Sequence, residues 1–314
     1  MPDWLVERGI GETRAVRVKD GEIVDARIEL DGIARAGESL SAKLKSAGKP
    51  AVAAADGCEY LLPAGATGVT EGAQFLIEVT REAIPGIEPW KRPLARAVER
   101  GPLHAPPLDG EDLPIPAARD ALEQAGWSDL IEEARGGRVE FAGGSLGIFP
   151  TPAMTLIDVD GAMPPAELAL AGAKAAASAI RRLDIGGSIG IDFPTVRGKT
   201  ERQAIAAHID AILPQPFERT AVNGFGFLHI VRPRRRASLI ELAQDRPAFE
   251  ARALLRRAAF TGPGPKRIVA HPAVVSAIQN NPLWIEGLAR QAGGHIDLRA
   301  DAALTMSGGH AESV

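Results

Sequence analysis

The chain has 314 residues, 45% of them hydrophobic and 24% charged, and a formal net charge of −4; it is long enough for about two domains, and it is not a protein coated in phosphate-binding lysines. Cys58 is the only cysteine, which excludes an internal disulfide and any cysteine-rich zinc site built within one chain. The six histidines, His104, His208, His229, His271, His295 and His310, lack the spacing of metal ligands, so a metal here is expected to be a hard ion held by oxygen.

The N-terminal part reads as β structure. Val16, Val18, Ile23, Ala26 and Ile28 alternate on either side of Asp20-Gly21, a two-residue hairpin signal. Four short strand-like pieces follow Gly37, namely SLSAKLKS, AVAAA, CEYLLP and AQFLIEVT. Their spacing fits a small barrel of the oligonucleotide-binding (OB) type, with Tyr60 and Phe75 as candidate stacking residues; core packing explains either aromatic at least as well. From Pro85 to Pro116 the chain is proline-rich and reads as a connector, after which a helix is expected over 117–135. No targeting segment or membrane span is expected from the sequence, which reads as cytoplasmic.

The most regular stretch begins at Ala153. An apolar strand to Val159, a helix over 165–184 with proline in its first turn, Gly186-Gly187 and a second strand in SIGIDF make a βαβ unit. Parallel strands so connected place Asp158 and Asp192 at equivalent carboxyl ends, where open α/β sheets collect ligands. Asp160 lies two residues beyond Asp158 and shares its face of the strand. A helix over 201–213 is expected to start at Thr200, with Gln203 completing a capping box. GFGFLHIVR reads as a further strand, running into Arg232, Arg234, Arg235 and Arg236. The C-terminal 54 residues, from Thr261, read as a strand, helix, helix and strand.

Two carboxylates in D-x-D form are by themselves as well explained by a turn. Converging with Asp192 they repel unless a cation sits between them, and magnesium with retained water suits such ligands. IDVDG is also close to the nucleophile motif of haloacid-dehalogenase-type phosphatases, but Ala162, Met163 and two prolines follow it and the downstream Gly-Asp pair is missing.

Taken in order, GGSL, TPAMTLIDVDG, RRLDIGGSIGIDF and FGFLHIVRPRRRASL resemble the catalytic region of the ribonuclease E and ribonuclease G family. The last segment carries Phe225, Gly226, Leu228, Arg232, Arg234, Arg236, Ser238 and Leu239 in the places of the family's arginine-bearing segment. Weaker likeness extends over GETRAVRVKDGEIVDARIE and over HPAVVSAIQNN and HIDLRAD. The resemblance implies an α/β chain of several subdomains: an RNase-H-like and DNase-I-like catalytic core, an inserted OB-type barrel and a small C-terminal α/β domain. The boundaries it implies are 1–34 for the first strands of the RNase-H-like part and 35–84 for the barrel. Residues 85–138 would be a shortened 5′-sensor region, 139–260 the DNase-I-like subdomain and 261–314 the small domain.

The activity implied is magnesium-dependent endonucleolytic hydrolysis of single-stranded RNA, leaving 5′-phosphates. Asp158 and Asp192 match the metal-binding aspartates, and Asp160 stands where the family usually has a supporting Asn. Arg232, Arg234, Arg236, Lys91 and Tyr60 are the implied RNA contacts; Phe225 and Phe227 are further candidates for stacking, although core packing is the stronger expectation for both. The chain departs from the family in lacking its zinc-linking C-P-x-C motif, so no structural zinc is expected and any homo-oligomer is not zinc-linked. The Arg-Thr element of the 5′-monophosphate pocket is missing, and Phe149, Pro152, Pro194 and Thr195 stand where acids are common. An RNA-binding relative without turnover is the alternative from a different class.

Overall fold

The computed structural model describes residues 3–86, 90–105 and 108–314; residues 87–89 and 106–107 of the proline-rich connector lie outside them. In chain order, β1 (Trp4–Arg8), β2 (Glu12–Lys19) and β3 (Glu22–Leu30) form an antiparallel meander. Asp20 and Gly21 both adopt positive φ between β2 and β3, as the two-residue hairpin signal requires.

The barrel follows. β4 (Ser39–Ser46), β5 (Ala51–Ala55), β6 (Cys58–Leu62), β7 (Gln74–Arg81) and β8 (Leu94–Val98) close in the order β4-β5-β6-β8-β7. Four strands fall where the sequence places them. The fifth lies inside the segment read as connector, because its pattern is too short to stand out between prolines. Small side chains, Ala42, Ala51, Ala53, Ala55 and Ala95, line the interior with Leu44, Leu62, Ile77 and Val79.

Tyr60 belongs to that interior, only 4% exposed. This corrects its reading as an RNA-stacking residue: alternation along β6 turns it inward, where its ring fills space the alanines leave. Burial pushes its phenol up to about 12, helped by Cys58, Asp56 and Glu38. Because Tyr60 is the only tyrosine, an ultraviolet titration of the intact protein reads it alone. The phenolate is expected to form near pH 12, against an ordinary value of about 10. Ionisation near pH 10 in the folded protein would contradict the placement. The sign for stability follows: the unfolded phenol ionises first, so the barrel loses stability as pH rises from 10 toward 12.

After the barrel, β9 (Gly110–Leu113) lies parallel to β1. The helix expected over 117–135 is two helices, α1 (Ala121–Gln124) and α2 (Trp127–Gly136), broken at Gly126, whose φ is positive. Then come β10 (Arg138–Phe141), β11 (Gly144–Pro150), β12 (Thr155–Gly161), α3 (Pro165–Arg182), β13 (Gly187–Asp192), α4 (Lys199–Ile212), β14 (Glu218–Arg219) and β15 (Phe227–Arg232). They make a six-stranded sheet in the order β10-β11-β12-β13-β15-β14, with β12 and β13 parallel neighbours. α3 covers one face with a stripe of small residues, and Gly172 admits Val159 against the helix backbone. Thr200 is not the cap of α4: the helix begins two residues earlier than expected, at Lys199 behind Gly198, and the Glu201 carboxylate folds back over that glycine.

The chain closes with α5 (Leu239–Leu242), α6 (Arg246–Ala259), β16 (Lys266–Ala270), α7 (Pro272–Gln279), α8 (Pro282–Ala292), β17 (Ile296–Ala300) and β18 (His310–Ser313). β16 and β17 are parallel, and β18 pairs with β16 antiparallel. The architecture is thus mixed α/β with a closed five-stranded barrel. Among the described residues no helix is long and apolar enough to cross a membrane.

The compact units divide the chain differently from the sequence-based boundaries. One comprises Met1–Gly32, Leu108–Ser128 and Leu242–Val314; the other comprises Ile33–Pro107 and Asp129–Glu241. Residues 242–260, expected in the catalytic subdomain, instead pack in the first unit. The reason is electrostatic as well as apolar: Arg252 and Arg256 of α6 reach buried Glu12 and Glu7 of the meander, an attachment invisible to local pattern.

Candidate functional site

Alternation along β12 sends Ile157 and Val159 into the core and leaves Leu156, Asp158 and Asp160 on the sheet face that solvent reaches. In β13 the buried Ile189 and Ile191 alternate with Ser188, Gly190 and Asp192. The parallel register sets Asp158 directly beside Asp192, one strand spacing or ~4.8 Å apart at the backbone. Continuing across the sheet, one row reads Arg138, Gly147, Asp158, Asp192 and Phe227. Asp160 lies in the next row beyond Ser145 and accepts a hydrogen bond from the Gly161 N–H at 2.9 Å.

Among the described residues no three His, Cys, Asp or Glu side chains are grouped to hold a metal ion. The two neighbouring carboxylates nonetheless have the chemistry of a magnesium site. They are all-oxygen, solvent-facing and mutually repulsive, and Mg²⁺ is commonly bound through one or two carboxylates while keeping several waters. Asp160 is the adjacent polar group rather than part of a three-carboxylate cage.

The arginines are elsewhere. β15 runs antiparallel to β13, so Arg232 stands beside Gly187 while Phe227 stands beside Asp192. That places Arg232 ~17 Å along the strand from the carboxylate row, at ~3.3 Å per residue. Its guanidinium donates to the Ile185 and Ile180 carbonyls at 2.8 and 3.5 Å. Arg234 pairs with Glu241, and Arg236 pairs with Asp184 at 3.1 Å and with Glu82 at 3.7 Å. The arginines expected to face RNA are thus engaged within the fold. Arg235, expected to face away from them, is the exposed one. Lys91 donates to the Pro152 carbonyl at 3.1 Å, in the turn that leads into β12.

Other groups of this face carry no motif and were missed by pattern. Arg138 is exposed, and its guanidinium is held above its ordinary value by its hydrogen bond to Glu140 and by the charges of Glu140 and Asp160. Arg197 is exposed in the loop after Asp192. The Ser188 hydroxyl and His229 Nε2 are 2.7 Å apart, on strands whose alternation sets both on this face. Phe149 and Phe225 are 57% and 84% exposed, which overturns core packing for Phe225. Phe227 is half-buried, its ring lying against Gly190. The glycines around Phe225 in NGFGF are the signal that could have shown a turn there.

A cavity of about 690 Å³ belongs to the other compact unit and is lined by Gly11, Asp31, Asn281, Trp284 and Arg290 among others. It contains neither Asp158 nor Asp192. The βαβ strands are also flanked by antiparallel β11 and β15, not by the parallel core on which a dehalogenase-type phosphatase would depend.

Residues 114–236 match the Ribonuclease E/G family. The match covers less than half of the chain but includes Asp158, Asp160 and Asp192. No curated protein matches the chain.

Proposed function

We propose, from the Ribonuclease E/G match over residues 114–236, that the protein is an endoribonuclease that hydrolyses single-stranded RNA with magnesium, in RNA processing or decay. The observation that carries the reading is the register of β12 against β13, which sets Asp158 beside Asp192 on an open, solvent-facing sheet. In this reading Asp158 and Asp192 hold the cation by one carboxylate each. Magnesium, when bound, supplies Lewis-acid stabilisation of the phosphate's developing charge and a more acidic water. Asp160, oriented by the Gly161 N–H, accepts a hydrogen bond from the attacking water. The exposed cations Arg138 and Arg197, with the half-buried Lys91, hold neighbouring phosphates by charge. Hydrolysis breaks the bond to the 3′ oxygen, leaving a 3′-hydroxyl and a 5′-phosphate.

The same reading assigns the six-stranded sheet to the DNase-I-like part and the meander to the RNase-H-like part. The closed barrel is the OB-type module, now ending with β8 rather than at residue 84. Tyr60 has no place in its RNA contacts. Arg232, Arg234 and Arg236 shape the sheet's far end.

The test is incubation of a labelled single-stranded RNA with the full chain in magnesium or in EDTA. Magnesium-dependent internal cuts with 5′-phosphate ends are the expected result. RNA binding without cuts would favour a relative that has lost turnover.

A further inference from the structure

We propose that Phe225 and Phe149 are base-stacking anchors that bracket the Asp158 and Asp192 pair and grip unpaired RNA bases on either side of the bond to be cut; this rests on the ribonuclease reading. An 84% exposed phenylalanine leaves a large apolar ring in water, and such rings normally find a partner. Phe225 is also firmly presented. The Asn223 side-chain oxygen accepts from the Phe225 and Phe227 N–H groups at 2.9 and 3.0 Å. The Gly226 N–H donates to the Asn223 carbonyl, the Asn223 N–H to the Phe227 carbonyl, and the Thr195 hydroxyl to the Phe225 carbonyl. Gly226 has positive φ and lies so close to the Phe193 carbonyl that a Cβ would collide with it. The turn is tied to the chain directly after Asp192 through Thr195 and Phe193, so its backbone, from which the ring projects, is fixed near that end of β13 with little freedom to lose on binding.

Phe149 occupies the opposite flank. It lies on β11 opposite Leu156, and its ring leans over Gly147, the residue paired with Asp158. Gly147 leaves that space open, since a Cβ there would meet the ring. From β11 to β15 is three strand spacings, ~14 Å. β12 and β13, which carry the two acids, thus lie between the strand of Phe149 and the strand that the Phe225 turn leads into. Separate rings flanking a charged centre suit a strand whose backbone meets the acids through a cation and whose bases stack outward. A protein partner would favour a continuous apolar core, which the acids interrupt.

The experiment measures equilibrium binding of a fluorescent ten-nucleotide single-stranded RNA, and of an abasic strand of equal length, to the full chain in EDTA. Phe225→Ala is expected to weaken binding of the normal strand roughly tenfold and Phe149→Ala several-fold, in line with stacking on one base each. Phe225→Trp should restore affinity. The abasic strand should bind the parent more weakly and be indifferent to both alanine variants. Equal losses with both strands, or none with the normal strand, would overturn the proposal. The ring positions face solvent, so the melting temperature of each variant should match the parent's, which separates lost stacking from lost fold. Phenylalanine-dependent binding by a parent that makes no cuts would keep the anchors and remove the enzyme. Cleavage and binding unaffected by either substitution would keep the enzyme and remove the anchors.

Discussion

Asp158→Asn and Asp192→Asn are each expected to lower cleavage of single-stranded RNA by about a thousandfold while leaving RNA binding in EDTA within a few-fold of the parent. The magnitude corresponds to losing several kcal/mol of charge stabilisation at the phosphate. Each substitution preserves shape and hydrogen-bonding capacity and removes one of two charges on neighbouring strands. Removing one relieves their mutual repulsion in the absence of a cation, so the apo protein should melt no lower than the parent. The half-saturating magnesium concentration should rise in both variants. A variant that cleaves within threefold of the parent, at the parent's magnesium requirement, would sink the assignment of that aspartate. Asp160→Asn gives the contrast. It stands where the resembled family usually has Asn, and its role here is to orient water, so the amide should retain cleavage within a few-fold.

The second large effect is on stability. Glu7 is 1% exposed and accepts from Arg14 at 2.8 Å and from Arg256 at 2.9 and 3.0 Å. Arg14 also pairs with Glu12 at 2.8 Å, Arg252 with Glu12 at 2.7 Å, and Arg256 with Asp120 at 2.6 Å. Three acids and three arginines so balance one another, and all but Asp120 are buried. Glu7→Ala leaves two buried guanidinium groups short of a counter-charge, at an expected cost of about 3–5 kcal/mol. Tryptophan fluorescence reports this well, because Trp4, Trp127 and Trp284 all belong to the unit that contains the network. Its urea midpoint should fall sharply. Glu286→Ala, which removes an exposed partner 3.9 Å from Arg290, should leave it unchanged. Equal midpoints for Glu7→Ala and the parent would show that the network adds nothing.

The parts of the molecule legible in advance were those fixed by local chemistry. Asp20-Gly21 specified a turn because only certain residues tolerate its dihedral angles. Four barrel strands showed their period of two, and the βαβ unit showed an apolar strand, a proline-led helix and a glycine pair. The pairing of Asp158 with Asp192 followed from that unit, since a helical crossover between adjacent strands makes them parallel. Elsewhere local signals misled. Thr200 and Gln203 had the form of a capping box, but the helix began at Lys199, with Glu201 folded over Gly198.

The sequence by itself therefore determined which residues can turn, pair and repel, and hence the two acids on neighbouring parallel strands, although β12 runs on to Gly161 and leaves Asp158 in mid-strand. Only the tertiary structure decided what faces what. Tyr60 turned into the barrel because its interior of alanines leaves room for one large ring. Arg232, Arg234 and Arg236 fell far from the acids because β15 runs against β13, and strand direction is set by the path of the intervening chain, not by residues within the strand. Phe225 reached solvent because Asn223, Thr195 and Gly226 close a turn around it. Each outcome depends on partners distant in sequence, and burial is a property of those partners as much as of the residue.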